Sequence, residues 1–173
     1  MKYTIHRKSI KNIHLRVRGD GSVHVSAPWG VSRAAVEAFV ASNAVWIAGA
    51  QARAQAFEAV PLPTPEEALA HMTALCRRYY PQFRADCPGG AFPKVKVCDM
   101  TTRWGSCSLR TGTLAFSLRL CTMPLAAQEY VVVHEFCHFA HPDHSPAFWA
   151  EVARHLPDYA ARRALLKGGP AHG

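Results

Sequence analysis

A chain of 173 residues that is 49% hydrophobic can bury a real core, as one compact domain or as a small domain with an appendage, which excludes a chain disordered throughout. The leading residues Met1 to Lys8 hold no apolar run resembling a secretory leader, and no uncharged apolar stretch of about 18 residues suggests a membrane span, so a cytoplasmic protein is expected. The net charge of +8 sits in the first 125 residues, with 16 Lys and Arg against 7 Asp and Glu, while residues 126–173 hold 4 against 5. That bias would suit nucleic acid or another acidic partner, although basic side chains are more often merely solvated.

Residues 3–27 alternate in the manner of strands. Ile13, Leu15 and Val17 share one face, Gly19-Asp20-Gly21 turns, and Val23 and Val25 return, which predicts a hairpin. Ala27-Pro28-Trp29-Gly30 breaks the chain, and Ser32 caps a helix that continues through Val36, Val40, Trp46 and Ile47 toward about Ala56. The proline-rich run Val60 to Pro65 looks like a semi-rigid connector, so a boundary is expected near residue 60, with an N-terminal unit over 1–60 and a second domain over 61–173. Glu66 and Glu67 open a helix reaching about Tyr80. Strands follow at Val95-Lys96-Val97 and at Leu114 to Leu120, with a turn at Arg110-Thr111-Gly112. Three helices then run over 124–141, from Pro146 to about His155 behind a Ser145 cap, and briefly after Pro157.

The third of these segments to come from the end carries the chemistry. His134-Glu135-Phe136-Cys137-His138 is an HExxH pair, and on a helix residues four apart share a face, so both imidazoles can converge on one ion while Glu135 leans toward an open coordination position. His144 lies six residues after His138, the offset at which a longer version of this motif returns a third ligand. It is preferred to His141, which continues the same helical face and cannot close a tetrahedron, and to Glu151 on the next helix. Tyr130 to Ala140 is almost wholly apolar, so polar groups on such a helix would be stranded in the core unless a metal satisfied them. One Zn²⁺ per chain is the expected cofactor, since three imidazoles and a water suit zinc best. The six cysteines form no CxxC pair, and free thiols are expected, Cys107 and Cys137 among them.

Arg103-Trp104-Gly105-Ser106-Cys107, then the HExxH pair, then His144-Ser145-Pro146-Ala147-Phe148-Trp149 and Pro157-Asp158-Tyr159 together resemble the YgjP-like metallopeptidases, relatives of the SprT-like and WLM zinc proteases. The likeness extends over nearly the whole chain. It implies an α+β protein with a minimal zincin-like catalytic domain, in which a small antiparallel sheet packs on the HExxH helix, preceded by a β-hairpin-plus-helix unit. It implies His134, His138 and His144 as metal ligands and Glu135 as the base. Phe136 and Cys137 stand where small or aliphatic residues are common in that family, and neither touches a ligand.

The expected activity is hydrolysis of peptide bonds in a polypeptide substrate, by a zinc-activated water with Glu135 as general base. Arg103, Tyr159, His141 or backbone N–H groups of the RWGSC segment are candidates to stabilise the oxyanion. Trp104-Gly105-Ser106 is the candidate edge strand for an extended peptide, and the competing reading packs Arg103 to Cys107 against the motif helix with Trp104 in the core. Phe148 and Trp149 read as core. Two other classes remain open: a DNA-associated module using the basic N-terminal half, and a non-catalytic interaction protein in which zinc only ties helices together. The unliganded carboxylate of Glu135 argues against the last. The sequence is silent on oligomeric state.

Overall fold

The computed structural model describes residues 2–100 and 102–166, and the backbone alone at residues 57 and 58. The chain forms two compact units, Met1–Val60 and Pro61–Gly173. Among the described residues no helix is long and apolar enough to cross a membrane.

The first unit contains strands β1 (Thr4–Lys8), β2 (His14–Val17) and β3 (Val23–Pro28), followed by helices α1 (Arg33–Ser42) and α2 (Ala44–Glu58). The expected hairpin is present as the antiparallel pair β2 and β3, in which Val17 faces Val23. The unit is nonetheless more than a hairpin, because β1 pairs in parallel with the other side of β3 and leaves β3 in the centre. Val23, Val25 and Ala27 of that central strand are buried with Val36, Val40 and Ile47 of the two helices. One continuous helix is expected from Ser32 to about Ala56, and Ser32 does cap α1 by accepting from the Ala35 N–H. The helix breaks at Asn43. There the side-chain amide donates to the Phe39 carbonyl at 2.8 Å, taking a group the backbone ladder would have used, and α2 starts afresh from the Asn43 carbonyl.

The second unit begins with α3 (Pro65–Phe83), whose start is a reciprocal capping box between Thr64 and Glu67. A 3-10 turn at Pro88–Gly90 leads to β4 (Lys94–Cys98), β5 (Gly105–Ser108) and β6 (Thr113–Ser117). The sheet is mixed and not antiparallel as expected: β6 lies in the middle, parallel to β4 and antiparallel to β5. The short turn before Thr113 can only join neighbouring antiparallel strands, so β5 and β6 form the hairpin and β4 is left to pair with the far edge of β6. Arg110-Thr111-Gly112 therefore turns between β5 and β6, with Gly112 at φ +57°. The expected strand to Leu120 ends at Ser117, and Leu118–Thr122 winds into a 3-10 turn that buries Leu120.

Three helices close the unit: α4 (Leu125–Cys137), α5 (Pro146–His155) and α6 (Tyr159–Ala164). Every residue of α4 from Ala127 to Cys137 is buried, because α3, α5, α6 and β5 all pack on it. Phe136 stacks on Phe83 of α3 with ring centroids 5.0 Å apart. The polar residues of its first turns are satisfied from neighbouring elements. Glu129 pairs with Arg78 of α3 and Arg162 of α6, and Gln128 takes His71 and the Met123 carbonyl. The regular helix ends at Cys137 and not at residue 141. After it the Phe139 and Ala140 N–H groups reach back three residues to Phe136 and Cys137, a tightening that turns the chain out ahead of Pro142.

Removing Glu129, the buried member of this cluster, takes from Arg78 and Arg162 the carboxylate they share. Glu129→Ala is expected to cost about 2 kcal/mol, measured as a fall of roughly 4–8 °C in Tm. A change under about 1 °C would mean the cluster contributes nothing to the fold.

Candidate metal centre

The last turn of α4 brings His134, Glu135 and His138 to one end of a cleft of about 550 Å³. The loop after it returns His144, and α5 then starts on Ser145, whose hydroxyl accepts the Phe148 N–H. One ligand atom from each of His134, His138 and His144 lies within 4.8 Å of the others, the only such group among the described residues. The Nε2 atoms of His134 and His144 face each other at 3.0 Å. Neighbouring nitrogens around a tetrahedral zinc ion lie about 3.3 Å apart, so the pair is spaced as two ligands would be.

Ring orientation supports the same reading. A carbonyl can only accept, so His138 Nδ1 carries the proton in its 3.0 Å bond to the His141 carbonyl, and its Nε2 keeps a free lone pair. His134 Nδ1 lies 3.4 Å from the Tyr130 hydroxyl, which burial pushes up to about 12 and so keeps protonated. Burial also holds His138 below its ordinary value, opposed by the bond to His141 and helped by His144, and a neutral imidazole is what a metal requires. Beneath the three rings sits Phe148, fully buried, with its centroid 4.8, 4.6 and 4.8 Å from those of His134, His138 and His144. The donor set, the His138 tautomer and the apolar floor fit a zinc ion.

Glu135 is 3% exposed and lies against β5. A Cβ placed on Gly105 would come within 2.7 Å of Glu135 Oε1 and 2.9 Å of its Cγ, so only glycine lets the strand pass this close to the carboxylate. Burial raises the Glu135 carboxyl to about 8, and the charge of Arg103 opposes that rise. Cys107, two residues along the same strand, is raised to about 12, first by burial and then by Glu135, and remains a thiol.

The other residues singled out from the sequence divide into two groups. Arg103, Gly105 and Ser106 line the cleft with Thr102, Cys107, Leu109 and Pro142. Trp104 is fully buried, and neither it nor Tyr159, which stacks on Trp149, is among the lining residues. His141 contributes its carbonyl and not its ring, and Glu151 is engaged with Arg154 and His155. Sequence reasoning passes over Tyr130 and the role of Phe148. The first stands four residues before His134, a spacing that could have marked it as its partner; the second stands four after His144, inside the helix that Ser145 starts.

The family profile described as YgjP-like, metallopeptidase domain matches residues 11–66 and 63–168. A search of curated proteins finds no match. Among solved structures, the crystal structure of the metallopeptidase zymogen abylysin of Pyrococcus abyssi is similar over 50% of this chain and 85% of that one, at 21% identity and a TM-score of 0.41. With nearly all of its length matched by the family profile, the chain belongs to the YgjP-like metallopeptidases.

Proposed function

We propose that this protein is a zinc-dependent endopeptidase in which His134, His138 and His144 hold one ion and Glu135 is the general base. The observation that supports this most strongly is the meeting of three imidazoles and a buried carboxylate in one cleft walled by β5. Zinc held by these three imidazoles would supply a Lewis acid and a source of hydroxide near neutral pH.

The chain's own groups do the rest. Glu135 accepts the proton of the attacking water and passes it to the departing amide nitrogen, a task for a group that can hold a proton in a dry site. Gly105 leaves free the space beside the strand that the Glu135 side chain fills. Among the described residues β5 is paired on one side only, by β6, so its other edge offers N–H and C=O groups to an extended polypeptide, a mode that reads backbone more than side chains. Arg103, exposed at the cleft, brings positive charge to the side where negative charge develops on the substrate oxygen.

Two measurements test this reading. Zinc content and cleavage of a casein mixture are compared for wild type, Glu135→Gln and Gly105→Ala. All three are expected to hold one zinc per chain, with cleavage lost in Glu135→Gln and reduced about a hundredfold or more in Gly105→Ala. Cleavage by Glu135→Gln at the wild-type rate would remove the assigned base, and a wild type without zinc would remove the centre itself.

The second measurement uses the chelator-treated protein. Burial raises Glu135 from 4.5 to about 8, so between those values the unfolded chain holds it ionised while the fold keeps it protonated. Folding then takes up a proton, and stability falls as pH rises through that window. Glu135→Gln removes the fall: its Tm is expected to equal wild type below about pH 4.5 and to exceed it by several degrees above about pH 8. Equal Tm at both ends would contradict a buried carboxylate.

A further inference from the structure

His144 differs from the other two imidazoles in how it is held. His134 stands in the last turn of α4 and His138 caps its C-terminus, and each has a partner on its second nitrogen, the Tyr130 hydroxyl and the His141 carbonyl. His144 stands on the loop between α4 and α5 and is exposed. Among the described residues no protein group hydrogen-bonds its Nδ1. A loop imidazole without a fixed ring plane would lose rotational freedom on binding an ion, and that loss would weaken the site.

What the ring has is a face. The Trp149 indole lies nearly parallel to it, with centroids 5.7 Å apart and planes 24° apart. The indole is itself fixed from α6, where the Tyr159 ring stacks on it at 5.5 Å and 24° and the Arg163 guanidinium sits 5.1 Å from its centre, and within α5 by the Phe148 ring, edge-on at 5.1 Å. Tyr159 and Arg163 belong to α6, which Arg162 ties to Glu129 of α4. A chain of packed contacts thus runs from the helix that carries two ligands, through α6, to the indole that backs the third.

We infer that Trp149 is a positioning residue for the metal centre, its indole setting the ring plane of His144 in place of the hydrogen bond the other two imidazoles have. The inference rests on the three-histidine reading proposed above. It gives the stacked residues Trp149 and Tyr159 a part in metal affinity although neither lines the cleft.

The test is a cycle of zinc dissociation constants, measured by competition with a chromophoric chelator, for wild type, Trp149→Ala, His144→Ala and the double variant. Trp149→Ala is expected to weaken zinc binding about tenfold or more, the loss typical of removing an outer partner of a ligand, and Trp149→Phe to stay within about threefold of wild type. In the His144→Ala background the same tryptophan change is expected to cost clearly less, because the stacked ring is gone and only the tilted contact of the indole with His134, at 5.9 Å and 60°, remains. Trp149→Leu, which keeps apolar bulk but offers no flat face, is expected to behave as the alanine variant does and carries the test if that variant does not fold. Unchanged affinity in Trp149→Ala or Trp149→Leu, or an equal loss in both backgrounds, would overturn the inference while leaving the three ligands in place. Wild-type affinity in His144→Ala would instead overturn the three-histidine reading, and the inference with it.

Discussion

The cost of burying polar groups governs this molecule, and it falls on α4. A helix covered on all sides by α3, α5, α6 and β5 must find a partner for every polar side chain it carries. Its first turns do so with protein groups, Gln128 through His71 and a backbone carbonyl, Glu129 through two arginines. His134 and Glu135 of its last turn are as buried as the apolar residues beside them, yet they line a cleft together with His138, His144 and residues of β5. The same helix is thus core at one end and chemistry at the other, and the ionisable groups at the second end are poised by their surroundings.

Two elements from elsewhere in the chain complete that end. β5 contributes a place with no side chain: Gly105 lets this strand, the edge strand of its sheet among the described residues, lie against the Glu135 carboxylate. The start of α5 contributes the opposite, a concentration of ring surface. Phe148 touches all three imidazoles and Trp149 backs the one that comes from a loop. A close-packed strand on one side and an apolar floor on the other hold the three imidazoles and the carboxylate together at the junction of a helix end and a loop.

The features that the sequence discloses are those set by short-range geometry. The i, i+4 spacing of His134 and His138, the return of His144 six residues on, and the caps at Ser32 and Ser145 each depend on a few neighbouring residues. What it hides depends on partners far along the chain. Nothing in Thr4 to Lys8 says that this strand crosses to the far side of β3, and nothing in Lys94 to Cys98 says that it runs parallel to β6. The contact between Gly105 and Glu135 spans thirty positions, so the glycine reads locally as a turn or a close approach without naming what approaches. Asn43 shows a third kind of concealment: the apolar periodicity continues through it, and only the competition of its side chain for the Phe39 carbonyl splits the helix.

The central claim is that three imidazoles, and no thiolate, share one zinc ion in the cleft beside Glu135. X-ray absorption at the zinc edge of the loaded protein tests it directly, because light ligands and sulfur scatter at different distances. The account predicts nitrogen and oxygen at about 2.0–2.1 Å with the outer-shell scattering of three imidazole rings. A sulfur shell at about 2.3 Å, which would have to come from a cysteine such as Cys107 or Cys137, or scattering from fewer than three rings, would contradict it.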